Sequence, residues 1–116
     1  MLEVYLQRHG IAEEASPAGG DAARALTPEG KRRLRAVYRR ALKAGASPGV
    51  VLSSPFKRAI ETAEIAKHAL SCEGRILEID ALKPGAIPEE VWAEIRAHKH
   101  AGRILLTGHE PLLGQT

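Results

Sequence analysis

Apolar and polar positions alternate from the start of the chain: Leu2, Val4 and Leu6 stand against Glu3, Tyr5 and Gln7, and the run stops at Arg8-His9-Gly10. A period of two predicts a half-buried strand. Gly49 to Ser53 (GVVLS) is instead continuously apolar up to its serine, as expected of a strand covered on both faces. Arg75 to Ile79 (RILEI) and Arg103 to Thr107 (RILLT) are the third and fourth strand candidates.

Between these runs the period becomes helical. Thr27 is placed to cap a first helix, with Pro28 at its first position and Glu29 at the positive end of its dipole. Leu34, Val37, Tyr38, Ala41 and Leu42 form its apolar stripe, and Gly45 and Pro48 end it. Ser54 as cap and Pro55 at the first position start a second helix, buried along Ala59, Ala63, Ala66 and Leu70. After a Pro84-Gly85 turn, a third helix begins at Pro88, with Val91, Trp92 and Ile95 facing inward. Ile11 to Arg24 is rich in Ala, Gly, Ser and Pro and reads as a flexible loop. Pro111 to Thr116 resembles the first turn of a further helix. Strands alternating with helices define an α/β domain over residues 1–116 with a mostly parallel sheet. Such a sheet needs that last helix as cover, so the C-terminal end reads as truncated.

Composition narrows the picture. With 44% hydrophobic and only 3% aromatic residues, the core must be aliphatic. One cysteine, Cys72, excludes a disulfide framework and a multi-cysteine metal site. No signal peptide or long apolar run is present, so a cytoplasmic protein away from membranes is expected. The net charge of +3 favours acidic or phosphorylated partners, while few aromatics and no recognisable module argue against nucleic acid. Seven cations, Lys31, Arg32, Arg33, Arg35, Arg39, Arg40 and Lys43, cluster on the first helix, as a solvated face or a docking surface.

Taken alone, Arg8-His9-Gly10 fits a surface pair at a turn. Three strand ends, however, carry related groups: Arg8 and His9, then Arg58, then His109. If the strands are parallel, these meet at one edge of the sheet, where open α/β folds bind ligands. Two arginines and two histidines suit a dianionic phosphoryl group. Arg8 and Arg58 would neutralise its oxygens, a protonated His109 would add a donor, and His9 would attack phosphorus in line. No Walker-type loop, carboxylate cluster or His-x-x-x-His pair marks a metal site, so no metal or cofactor is expected.

These residues resemble a known family. Arg8-His9-Gly10, Ser53-Ser54-Pro55 followed by Arg58-Ala59 and Thr62-Ala63, and the late Gly108-His109 are similar to the motifs of the histidine phosphatase superfamily, nearest its SixA-like phosphohistidine phosphatase branch. The resemblance implies a phosphoglycerate mutase-like, three-layer α/β/α sandwich. It further implies that His9 is the phosphorylated nucleophile in a pocket of Arg8, Arg58 and His109, with Arg24 nearby. The implied activity is cofactor-independent hydrolysis of phosphohistidine on a signalling or phosphotransfer protein.

An alcohol phosphate needs a proton for its leaving oxygen, and Asp80 is the nearest candidate donor by position, with Glu13 and Glu110 behind it. None has a convincing motif. A leaving imidazole, with a pKa of about 6.5, departs already protonated and makes no such demand. Phosphohistidine hydrolysis is therefore the expected activity. The alternatives are a small-molecule phosphatase acting on sugar phosphates or related esters, and a phosphate-binding module without turnover.

Overall fold

The computed structural model describes residues 2–14 and 20–116. Its strands are β1 (Glu3–Arg8), β2 (Val50–Ser53), β3 (Ile76–Glu78) and β4 (Arg103–Gly108). Its helices are α1 (Pro28–Lys43), α2 (Lys57–Ala69), α3 (Pro88–Ala97) and the short α4 (Leu112–Gln115). All strand pairs are parallel, in the order β1-β4-β2-β3.

Side-chain alternation along these strands divides the core into two layers. On one face, Leu34 and Tyr38 of α1 and Ala63 and Ala66 of α2 pack on Val51 and Leu105. On the other, Val91 and Ile95 of α3 and Leu112 and Leu113 pack on Leu52, Ile104 and Leu106. The result is the three-layer α/β/α sandwich. Connections from β1 to β2 and from β2 to β3 run one way across the sheet, and the connection from β3 to β4 runs back. Right-handed crossovers therefore put α1 and α2 on one face and α3 on the opposite face. No helix of the described residues is long and apolar enough to cross a membrane.

Several local expectations need correction. β1 lies at an edge of the sheet, so Val4 packs against the core while Leu6 is 47% exposed. In α1 the buried stripe narrows to Gly30, Leu34 and Tyr38, leaving Val37 and Leu42 exposed. Trp92 is also exposed, with its indole N–H donating to the carbonyl of Thr116 at 3.2 Å. The loop after β1 is tied at both ends: Ala12 bridges Leu26, and Asp21–Ala23 forms a 3-10 turn. The part of that loop over residues 15–19 lies outside the described residues.

The α1 cap is as expected, with the Thr27 hydroxyl accepting from the Gly30 amide at 2.9 Å. Its position is set by contact with the chain that leaves β1. A side chain on Gly30 would collide with the carbonyl of Ile11, and one on Gly10 would come 2.8 Å from Leu34 Cδ1. α2 begins two residues later than its serine and proline suggested, at Lys57, with no side-chain cap. Its Ala59, Ala63 and Ala66 are fully buried, as the stripe required.

Candidate active site

Register alone brings the chemistry together. Arg8 pairs with Gly108 across β1 and β4, and Thr107 pairs with Ser53 across β4 and β2. The next residues, His9, His109 and Ser54, therefore emerge side by side at the carboxyl ends of three adjacent strands. β1 and β2 hand over to α1 and α2 on one face, whereas β4, between them, hands over to α4 on the other. That reversal opens the crevice in which open α/β sheets take their ligands.

His9 is held by both ring nitrogens. Nδ1 lies 2.7 Å from the carbonyl of Gly10, so it carries the proton, and Nε2 accepts from Nε of Arg58 at 3.2 Å. Burial, and then the charges of Arg58, Arg8 and Arg24, lower its pKa below the ordinary value, against the Gly10 hydrogen bond. The imidazole is thus neutral at pH 7, with its lone pair on Nε2. The turn carrying it is anchored by the Gly10 amide, which donates to Thr62 Oγ1 at 3.2 Å; Thr62 in turn donates to the carbonyl of Arg58 at 2.8 Å.

Arg58, in the first turn of α2, is 5% exposed. Its guanidinium stacks 5.1 Å from the Phe56 ring, and its Nη groups donate to Asp21, to the backbone carbonyl at 2.8 Å and to the carboxylate at 3.1 Å. The second oxygen of Asp21 accepts from Arg24 at 2.7 Å. Hydrogen bonds from Arg24 and Arg58 hold the Asp21 carboxyl below its usual range, so it is ionised. Arg8 and Arg24 line an open cleft of about 460 Å³ formed largely by the Gln7–Ala12 segment, His9 included. A larger groove of about 660 Å³, at the C-terminal end of α2, holds none of these residues.

His109 is 3% exposed, with its ring 5.1 Å from that of His9 and 5.3 Å from Phe56. Its Nε2 lies 2.8 Å from Ser54 Oγ, and Nδ1 has no partner among the described residues. Burial, and then the charges of Arg58 and His9, push its pKa down to about 4. The expectation of a protonated His109 is therefore corrected: at neutral pH the ring is uncharged. Nε2 and the Ser54 hydroxyl share one hydrogen bond, and the ring stands beside His9 with Nδ1 buried. A bound dianion would raise that pKa again.

The candidate acids are not brought in. Asp80 opens the 3-10 turn after β3, the sheet edge opposite β1; its side chain is 85% exposed and pairs with Lys83 at 3.3 Å. Glu13 accepts from the Ala25 amide at 3.3 Å, and the carboxylate of Glu110 lies against Gly114. Sequence reasoning missed Asp21 as the bridge between Arg24 and Arg58, and it took Ser54 for a helix cap rather than a partner of His109. A spacing of three residues before Arg24 was the one local signal for Asp21.

A model of the histidine phosphatase superfamily (branch 1) matches residues 4–83. The chain belongs to this superfamily. Among solved structures it is similar to the protein histidine phosphatase SixA in complex with tungstate, with 27% identity and a TM-score of 0.88 over 96% of this chain and 71% of that one. A candidate phosphohistidine phosphatase SixA from Agrobacterium tumefaciens gives 28% identity and a TM-score of 0.85, covering 95% of this chain and 70% of that one. An α-ribazole phosphatase from Shigella flexneri shares the fold at 18% identity and a TM-score of 0.72, over 95% and 75% of the two chains. An uncharacterized protein of Picosynechococcus sp. is 31% identical over 98% of this chain and 70% of its own length.

Proposed function

We propose that the protein is a phosphohistidine phosphatase that works through a covalent phospho-His9 intermediate. The observation that carries this reading is the hydrogen bonding of His9: Nδ1 is tied to Gly10, so the nucleophilic lone pair lies on Nε2, beside Arg58. In the proposed first step, Nε2 forms a bond to phosphorus while the bond from phosphorus to the substrate imidazole breaks. The leaving imidazole keeps its pair and departs carrying a proton. Water then attacks phospho-His9 in line, releasing inorganic phosphate and restoring the imidazole.

Arg8, Arg24 and Arg58 supply the positive charge for the phosphoryl oxygens, and His109 supplies a further donor. On this reading guanidinium groups rather than a metal ion balance the dianion, and no cofactor takes part. Preference for an N–P bond follows from the acids. Asp21 is the one carboxylate hydrogen-bonded to this cluster among the described residues, and two arginines keep it ionised. It cannot give a proton to an alkoxide. An imidazole leaving group needs none.

The test is phosphate release from a phosphohistidine-bearing phosphotransfer protein, beside p-nitrophenyl phosphate and a sugar phosphate, with His9→Ala as control. Fast release from the phosphoprotein alone, lost in His9→Ala, is the expected result. Comparable turnover of the esters would favour a small-molecule phosphatase, and phosphate binding without turnover would favour a non-catalytic module.

A further inference from the structure

His109 stands beside His9 in the cleft, and among the described residues a single hydrogen bond fixes how its ring is turned. Nε2 lies 2.8 Å from Ser54 Oγ, whereas Nδ1 is buried without a partner. The rings of His9 at 5.1 Å and Phe56 at 5.3 Å pack around it. Packing discriminates poorly between the two orientations of an imidazole related by a half-turn about χ2, because their outlines nearly coincide. The hydrogen bond decides between them, since a half-turn would set a ring carbon against the Ser54 hydroxyl.

Ser54 is itself held from two sides. It is fully buried, its amide donates to the carbonyl of Thr107 at 3.0 Å, and its hydroxyl oxygen accepts from the Phe56 amide at 3.2 Å. Pro55, between these two bonds, has its φ set by its own ring. Thr107 lies two residues before His109, and Phe56 two before Arg58. The serine is therefore fastened to β4, which delivers His109, and to the start of α2, which delivers Arg58. Turning the chain into α2 uses one lone pair of the hydroxyl oxygen. The rest of its hydrogen-bonding capacity faces His109.

Resting on the reading of the cleft as a phosphatase site, we propose that Ser54 is a positioning residue that acts through His109. Its hydroxyl keeps the imidazole turned so that the ring meets the phosphoryl oxygens while the bond to His9 Nε2 forms. Without the hydroxyl, Nε2 of His109 is left buried and unpaired, and the ring leaves this pose to regain a partner. The donor is then misplaced at the moment of transfer. Ground-state binding rests on Arg8, Arg24 and Arg58, which keep their places. The loss therefore falls on kcat and leaves KM nearly unchanged.

A double-mutant cycle on the full chain tests this, with a phosphohistidine-bearing phosphotransfer protein as substrate. Ser54→Ala should lower kcat by about tenfold to a hundredfold, with KM within about twofold of the parent. In a His109→Ala background the same substitution should change kcat by less than about twofold, because the group it positions is gone. That background also carries the lost Phe56 bond, so an effect through the start of α2 alone would persist there. Circular dichroism checks that each variant is folded. Should Ser54→Ala fail to fold, Ser54→Cys keeps the shape, weakens the hydrogen bond and enters the same cycle. An unchanged kcat, a rise in KM alone, or an equal fall in both backgrounds would overturn the proposal. Where turnover is too slow to measure, the affinity for orthovanadate, a mimic of phosphorus in transfer, carries the cycle instead. Weaker vanadate binding in Ser54→Ala only when His109 is present would uphold the positioning role. Found in a parent that turns over no substrate, it would also count against the catalytic reading. Equal vanadate affinities would overturn the positioning role.

Discussion

The Asp21 carboxylate sits on the guanidinium of Arg58, 3.1 Å from one Nη, and turns its other oxygen to Arg24 at 2.7 Å. An internal anion thus occupies two of the cations assigned to the phosphoryl group. Substrate must share or displace it. Replacing Asp21 by Asn removes the competing charge and leaves the backbone carbonyl that holds Arg58. Inorganic phosphate should then inhibit several-fold more tightly, by about 1 kcal/mol, read as a lower competitive inhibition constant. A weaker phosphate affinity would assign Asp21 to orienting the arginines instead.

On the proposed mechanism His9→Ala should lower phosphate release by at least about a thousandfold, because no other group among the described residues stands where Nε2 would form its bond. Rapid quench of the parent protein with labelled substrate should trap label that is acid-labile and alkali-stable, as phosphohistidine is. Phosphate binding should survive in the variant, since the arginines remain.

The depressed pKa of His109, about 4 when folded against about 6.5 unfolded, has a definite sign. Between these values the unfolded chain binds the extra proton, so stability rises with pH across that window. It is fully present above about pH 6.5 and is lost as pH falls toward 4. The group should cost about 1 kcal/mol by pH 5.5, measured by urea denaturation at several pH values. His109→Gln should flatten that slope in part. The residue comes from His9, whose pKa shifts the same way.

Thr62 is fully buried and links the His9 turn to α2. Thr62→Val keeps the shape but leaves the Gly10 amide without its acceptor. The expected cost is about 1–3 kcal/mol of stability, seen as a lower denaturation midpoint. Because Gly10 follows His9 directly, kcat should fall as well, with the KM for small esters little changed. An unaltered kcat would show that the anchor serves the fold alone.

Strands and helices were largely legible because their signals are local. The apolar run of β2, the Thr27-Pro28 start of α1 and the alanine stripe of α2 each express a backbone preference within a few residues. The misreadings fell where distant packing decides. Leu6 and Trp92 look like core residues in any short window, and only the position of β1 at the sheet edge and the pose of α3 leave them exposed. Ser54 beside Pro55 is a good local cap, yet its hydroxyl faces an imidazole 55 positions later in the chain.

By itself, then, the sequence determined the alternation of elements, the residue types at three strand ends and the charge of α1, all of which are written in near-neighbour order. Tertiary structure decided which of those groups meet. Parallel register set His9, Ser54 and His109 at one edge, and it left Asp80 in solvent at the other. It also decided protonation. A histidine's sequence neighbours do not record how deeply it is buried or how close an arginine lies, and both set whether it carries charge.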